Sequence, residues 1–281
     1  MIEPIFQTQG LSLGYGSRVA VTDVDLSIAP NQTTVLIGAN GSGKSTLFKG
    51  LSRQLTARTG SIRFNGTELN SLRPKAYARQ VALLPQAPVV PEGLTVLELV
   101  ARGRHPHRRW WGAPSPGDDD AIARALSMTN LSGLAERPVD ELSGGQRQRA
   151  WIALVLAQDT PTVLLDEPTA ALDLAHQVEL LDLLRGLRRP DGTRTTVVAV
   201  LHELNLAARV ADRVIALKDG RVALAGTPSQ VFTPEVLQDV FDLKADVIQD
   251  PTEGHPVILP RGRTESALVA LPEDPLVGER S

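Results

Sequence analysis

The chain contains no cysteine. Disulfides and thiolate metal sites are therefore excluded. It also lacks a strong charge of either sign: 29 basic residues stand against 32 acidic ones, a formal net charge of −3. Such a balance gives no global attraction to nucleic acid, and no nucleic-acid partner is expected. No apolar run approaches the ~20 residues that a helix needs to cross a bilayer. The first ten residues, MIEPIFQTQG, hold neither a basic start nor an apolar stretch, and are not expected to be a secretory signal. Internal repeats are absent too. The 281 residues and ordinary apolar fraction suit one large α/β domain, or a domain with a sub-domain. The expectation is a soluble, cytosolic protein that reaches a membrane only through a partner.

The pattern along the chain is that of a parallel α/β core with an insert. LSLGYG, VAVTDVDLSI and TTVLIG read as strands, and TLFKGLSRQL as a helix. SIRFNG and VALLPQ read as further short strands. From about residue 88 to 158 the signals are mostly helical, broken by the loop RGRHPHRRWWGAPSPG, with Asp118 to Asp120 opening the helix after it. VLLD and TVVAVLH are continuous apolar runs, as in parallel strands buried on both faces. KDGRVALAG is a hairpin signal around Asp219-Gly220. Thr233-Pro234-Glu235 supplies an N-cap and a first-turn proline for a late helix. The main domain is expected over residues 1–250. A tail rich in proline and charge follows over 251–281, partly disordered, with 261–281 loosely ordered.

Two glycine-bearing stretches carry the chemistry. Gly38-Ala39-Asn40-Gly41-Ser42-Gly43-Lys44-Ser45 satisfies G-x-x-x-x-G-K-[ST] between an apolar strand and a helix, the context that marks a phosphate-binding loop. Its glycines let the backbone wrap phosphates, Lys44 reaches the β- and γ-phosphates, and the Ser45 hydroxyl suits Mg²⁺. Thr46 opens the following helix beside them. Further on, the apolar strand ending in Asp166 is followed at once by Glu167. Asp166 suits a direct or water-bridged Mg²⁺ contact, and Glu167 can polarise an attacking water as general base. The second stretch, LSGGQRQRA over residues 142–150, has bare glycine N–H groups at a helix start but no lysine.

The P-loop, LSGGQ and the acid pair, in this order along the chain, resemble the ATP-binding subunits of ABC transporters, over about residues 5–245. The resemblance implies a P-loop NTPase core with a parallel sheet, an N-terminal antiparallel β subdomain and a helical insert (about 88–158) carrying the LSGGQ signature. It implies ATP and Mg²⁺ as cofactors. It also implies roles for single residues. Tyr15 would stack on adenine. Gln86 would contact Mg²⁺ and the attacking water and sense the membrane partner. His202 would contact the γ-phosphate. Ala170 stands where serine is commoner in the D-loop, so only Asp173 is carried over there. Ser143, Gly144, Gly145 and Gln146 would bind the nucleotide held by Lys44 of a second copy, two chains packing head to tail around each ATP.

A narrower resemblance lies in ELVARGRHPHRRWWG, VLAQDTPTVLLDEPTAALDLAHQVELL and VLHELNLAARVADRVIALKDGRV. These look like subunits of bacterial iron–siderophore, haem and cobalamin importers, the siderophore branch fitting best. Such a subunit would sit peripherally on the cytoplasmic side of the cell membrane, coupled to a permease that a separate substrate-binding protein feeds. The cations and aromatics of residues 105–111 suit docking on such a partner, or a solvated basic loop. A metal site at His105 and His107 is disfavoured by the missing ligand set. A soluble non-transport ABC ATPase is the remaining alternative, weakened by an insert too short for a long coiled coil.

Overall fold

The computed structural model describes residues 3–86, 88, 93–108, 117–189 and 191–262. Alternating apolar residues build β1 (Phe6–Tyr15) and β2 (Arg18–Ile28), an antiparallel pair. β1 starts five residues before the LSLGYG segment because Phe6 pairs with Ile28 on one side and with Phe64 on the other. The Phe6 and Phe64 rings lie 5.1 Å apart between centroids. β3 (Thr33–Gly38) then enters a different sheet and is buried along its whole length.

The helix after β3, α1 (Lys44–Leu51), is shorter than the TLFKGLSRQL pattern suggests. Arg53 takes a positive φ of 61°, which ends the helix, and the Tyr77 hydroxyl donates to the Leu51 carbonyl at 2.6 Å. β4 (Thr59–Phe64) and the short β5 (Thr67–Glu68) complete a four-stranded antiparallel sheet in the order β2-β1-β4-β5. α2 (Pro74–Ala78) and β6 (Val81–Leu84) follow.

The insert contains α3 (Val96–Ala101), α4 (Asp118–Met128) and α5 (Gly144–Ala157). Thr95 and Glu98 form a reciprocal capping box at the start of α3, a device worth roughly 1 kcal/mol. These helices share their own apolar core, in which Val96, Leu99, Ile122, Leu126 and Ala153 pack together. α5 serves two cores at once, since its Ile152 and Val155 pack against the main sheet. Asp118 does more than complement a helix dipole. It is 1% exposed and takes the Arg104 Nε at 2.8 Å, while Arg104 Nη1 donates to the Ala157 carbonyl at 2.9 Å. This pair ties the end of α3 to α4 and α5.

The second half adds β7 (Thr162–Asp166), α6 (Leu174–Gly186), β8 (Thr196–Val200), α7 (Leu204–Val210), β9 (Arg213–Lys218) and β10 (Arg221–Gly226). The main sheet has the order β10-β9-β3-β8-β7-β6. Its pairs are parallel except β9–β10. That hairpin turns at Asp219 (φ 48°) and Gly220 (φ 75°), the two consecutive positive φ values of a type I′ turn. α8 (Pro228–Val231) and α9 (Pro234–Phe241) come next, α9 capped by the Thr233 hydroxyl with Pro234 in its first turn. The expected domain end at residue 250 falls inside a hairpin. β11 (Ala245–Gln249) pairs with β12 (Pro256–Pro260), and Ala245 and Ile258 are buried in the main core. The apolar VIL of β12 belongs to the folded body despite its proline-rich flanks. The loosely ordered stretch expected at 261–281 lies, from residue 263 on, outside the described residues.

Candidate functional site

Sheet register brings the chemistry together. β3, β8, β7 and β6 are consecutive parallel neighbours, with Leu36 opposite Val200, Val200 opposite Asp166, and Leu165 opposite Leu84. The segments leaving their carboxyl ends therefore share one edge. They are the phosphate loop after β3, His202 after β8, Asp166 and Glu167 at the end of β7, and Gln86 after β6. Loops beyond the carboxyl ends of parallel strands are where open α/β sheets bind ligands.

The phosphate loop is held in a conformation that needs glycine. Gly38 and Gly43 have φ of 151° and 101°; a Cβ on Gly38 would lie 2.3 Å from the Leu217 carbonyl oxygen, and one on Gly43 2.8 Å from that of Ala20. Gly43 is the N-cap of α1, no side chain caps that helix, and its first turn holds no acid. Its leading N–H groups therefore remain available to an anion. Lys44 Nζ donates to the carbonyls of Gly38 at 2.8 Å and Ala39 at 3.0 Å, so the ammonium rests on its own loop. Burial lowers the Lys44 pKa, while the charges of Glu167 and Asp166 act in the opposite direction. A cleft of about 300 Å³ opens here, lined by Tyr15, Asn40, Gly41, Gly43, Lys44, Ser45, Thr46, Glu167 and His202, with Arg18 and Ala20.

Glu167 sits at φ 53°, a left-handed conformation that favours glycine and is uncommon for a side chain of this size, and its N–H donates to the Val200 carbonyl at 3.2 Å. This twist aims its carboxylate along the sheet edge, where Oε1 lies 2.6 Å from His202 Nε2. Asp166 is 3% exposed. Burial, then the neighbouring Glu167 charge, push its pKa up to about 6. Its Oδ1 is buried with no hydrogen-bond partner. An orphaned carboxylate oxygen is costly in a finished core and fits a position completed by a bound cation. The donors nearby are hard oxygens, which suit Mg²⁺. Among the described residues no group of three or more His, Asp or Glu side chains could hold a metal by itself.

The second glycine stretch forms a separate cleft. Ser143 is the N-cap of α5, its hydroxyl accepting from the Gln146 N–H at 3.3 Å, while Gln146 Oε1 accepts from the Ser143 N–H at 3.1 Å. Gln146 is thus engaged in closing its own helix. Asp173 caps α6 in the same manner, accepting from the His176 N–H at 3.0 Å. Its carboxyl is held below the usual range by that bond and by the His176 ring. Ser143, Gly145, Gln146 and Asp173 line a cleft of about 410 Å³ with Arg149, Ala171 and His176. None of these residues lines the cleft around Lys44.

Tyr15 lies beside the phosphate loop, 46% exposed, with Lys49 Nζ 5.6 Å from its ring centre. Gln86 is exposed in the bend after β6 and does not line the Lys44 cleft in this state. His107 engages the Gln158 carbonyl through Nε2 at 2.8 Å, and Lys75 and Arg79 hold the backbone of Arg108 and Pro106. Arg109, Trp110 and Trp111 lie outside the described residues. Two features escaped the sequence reading. The β9–β10 turn braces the phosphate loop, with the Gly220 N–H donating to the Ser42 carbonyl at 3.1 Å. Gln148 Nε2 donates to the Pro168 carbonyl at 2.8 Å, joining α5 to the loop after Glu167. The first has no local signal, because the partners are remote in sequence. The second lies within GGQRQ, where a polar residue one turn past the cap is an unremarkable surface amide.

Comparison with known proteins agrees with this geometry. A family model described as ABC transporter matches residues 21–170. The chain belongs to the ABC transporter family. The "Probable siderophore transport system ATP-binding protein" of Bacillus subtilis (strain 168) is 48% identical over 256 residues, covering 91% of this chain and 92% of that one. The ferric enterobactin transport ATP-binding protein of Escherichia coli (strain K12) is 42% identical over 94% of this chain and 97% of its own. Among solved structures, an inward-facing metal-chelate type ABC transporter superposes with a TM-score of 0.77 at 28% identity, over 93% of this chain and 99% of that one. A dimeric post-hydrolysis ABC cassette bound to ADP and Pi gives 0.69 at 30% identity, over 79% and 98%. This ABC ATPase therefore has the α/β P-loop fold with an N-terminal antiparallel sheet, and ATP is its nucleotide. No helix among the described residues is long and apolar enough to cross a membrane.

Proposed function

We infer that this ABC ATPase energises uptake of an iron–siderophore complex through a separate membrane permease. One observation carries the catalytic part. Adjacent parallel strand ends set Lys44, Glu167 and His202 around one cleft, with an unpartnered Asp166 oxygen buried beside it. Lys44 leaves the loop carbonyls for the β- and γ-phosphates, while the N–H groups from Gly41 to Thr46 wrap them, with Gly38, Asn40 and Ser42 shaping the loop. Tyr15 stacks on adenine. Ser45, Asp166 and Gln86 are the residues that would hold Mg²⁺, which when bound neutralises charge on the β- and γ-phosphate oxygens. His202 turns from Glu167 to the γ-phosphate. Glu167, released, accepts a proton from the attacking water.

The signature completes the site from a second copy. Ser143, Gly144 and Gly145 present a hydroxyl and N–H groups to the γ-phosphate bound by the partner chain, with Gln146 and Asp173 framing that contact. The separation of the two clefts within one chain supports this arrangement. Hydrolysis removes the phosphate that links the dimer and lets it open. The subunit works peripherally at the cytoplasmic face of the membrane, on permease subunits served by a substrate-binding protein. The names of the relatives support the cargo.

The test is uptake by a deletion strain complemented with the full chain, supplied in turn with ferric siderophores, haem and cobalamin. Growth and iron-55 uptake restored on a ferric siderophore, and abolished by Lys44→Ala, is the expected result. Restoration on haem or cobalamin alone would move the cargo to that branch. Co-purification with ribosomes or DNA in place of a permease would overturn the transport reading.

A further inference from the structure

His202 stands two residues before α7, and local structure does little to hold that helix start. Glu203, at its N-cap, makes no side-chain cap bond, and the helix has only 7 residues. Isolated helices of that length are not stable in water. The hold comes from more than fifty residues later. Asn205 Nδ2 donates to the Ile258 carbonyl at 3.1 Å, and the Ile258 N–H donates to Asn205 Oδ1 at 2.7 Å. One primary amide thus pairs with the backbone of β12 in both directions, as a strand neighbour would. Ile258 is 2% exposed and packs in the same core as Leu206, Ala207 and Val210.

The far end of α7 is held by the same hairpin. Arg209, four residues after Asn205 and so on the same helical face, reaches Asp182 on α6 at 3.1 Å and Glu253 in the β11–β12 turn at 3.4 Å. Arg185 of α6 takes Glu253 at 3.3 Å. The hairpin therefore grips α7 at both ends and ties it to α6, whose cap is Asp173.

We propose that Asn205 is a positioning residue for ATP hydrolysis: through Ile258, the β11–β12 hairpin fixes the start of α7 and with it the place of His202 at the nucleotide cleft. The proposal rests on the reading of His202 as the γ-phosphate contact. A group misplaced by about 1 Å can cost on the order of 10²-fold in rate, so loosening this joint should act on turnover more than on ATP binding.

The experiment compares the full-length wild type with Asn205→Ala, Asn205→Asp, Glu253→Gln and His202→Ala. It reads kcat, KM for ATP, thermal midpoint and the His202 ring resonances by NMR. The expected result for Asn205→Ala is a kcat fall of about ten-fold, KM within about two-fold, and displaced His202 resonances. Asn205→Asp, which keeps the acceptor for the Ile258 N–H, should lie between it and wild type. Wild-type kcat in Asn205→Ala, or a lower kcat with unmoved His202 resonances, overturns the proposal. If Asn205→Ala does not fold, Glu253→Gln decides. It loosens the hairpin from outside the nucleotide cleft, and a lowered kcat with shifted His202 resonances supports the proposal, whereas unchanged values overturn it. Wild-type turnover in His202→Ala would instead refute the role of His202, a failure visible in that variant by itself.

Discussion

His202 Nε2 lies 2.6 Å from Glu167 Oε1, although 35 residues separate them. The parallel register of β7 and β8 makes the contact, and the left-handed backbone of Glu167 aims it. The expected general base and the expected γ-phosphate sensor are therefore paired with each other. If Glu167 is the general base, it has to leave this contact to hold water.

Glu167→Gln keeps the shape and a hydrogen bond to His202 but cannot accept a proton. General-base catalysis contributes roughly 10²–10⁴-fold, so turnover should fall by at least about 10²-fold while ATP still binds. An ATP-dependent dimer should then accumulate on gel filtration. Turnover at the wild-type rate would remove Glu167 from the role.

Much of this site is legible in the sequence because its parts are local. A glycine loop between a strand and a helix, or an acid at the end of an apolar run, states its own backbone context. Asp219-Gly220 and Thr233-Pro234 likewise specify their turn and cap within a few residues. What stays hidden depends on partners far along the chain. Phe6 extends β1 because Ile28 and Phe64 flank it, and β12 belongs to the body because Asn205 receives it. Asp118 reads as a first-turn acid, yet its burial against Arg104 follows from how three helices pack. Periodicity and turn chemistry carry no information about such remote pairings.

Asp166 gives a pH-dependent stability with an inverted sign. Its folded pKa of about 6 lies above the ordinary aspartate value of 3.8, because burial and the Glu167 charge oppose ionisation. The folded state then holds the proton more tightly than the unfolded one. Asp166 therefore favours folding below about pH 4 and loses that contribution as pH rises through about 6. Asp166→Asn should accordingly raise the thermal midpoint of the nucleotide-free protein at pH 8, by on the order of 1–3 kcal/mol of stability. The gain should shrink toward zero near pH 4. With ATP and Mg²⁺ at pH 8, the wild type should recover more stability than the variant. Calorimetry at several pH values checks all three; an equal gain at pH 4 and pH 8 would contradict the argument.

The Arg104–Asp118 pair should dominate the stability of the helical insert. Asp118 is almost wholly buried, and Arg104 joins it to the end of α5. Arg104→Met removes the donor at 2.8 Å and leaves the buried carboxylate to the more distant Arg108, whose Nε lies 4.0 Å away, so the cost should fall short of the about 3–5 kcal/mol of a fully broken buried pair. Replacing both, as Arg104→Met with Asp118→Leu, should cost less than Arg104→Met by itself, since the buried carboxylate is removed together with its 2.8 Å partner. Urea denaturation of the single and double variants measures the difference. A double variant less stable than the single one would show that the pair contributes more than mutual compensation.

The separation of the Lys44 and Ser143 clefts leads to a test of the dimer that needs no further structure. Lys44→Ala removes the phosphate cation from one cleft, and Ser143→Arg fills the other with a long side chain. Each variant by itself should be inactive, because both composite sites of its dimer carry a defect. In a mixed dimer the two defects fall together in one site. The other site combines the intact Lys44 of one chain with the intact Ser143 of its partner. Mixing the two variants under conditions of subunit exchange should therefore restore ATPase activity, approaching a quarter of the wild-type level if partners assort at random and each site turns over independently. If each chain used both of its own clefts, every subunit would stay broken and mixing would restore nothing. Two different affinity tags on the two variants, with pull-down through one and detection of the other in the presence of ATP, establish that mixed dimers form. Background activity in such verified dimers would argue against the exchange of clefts between chains, or show that hydrolysis demands two intact sites at once.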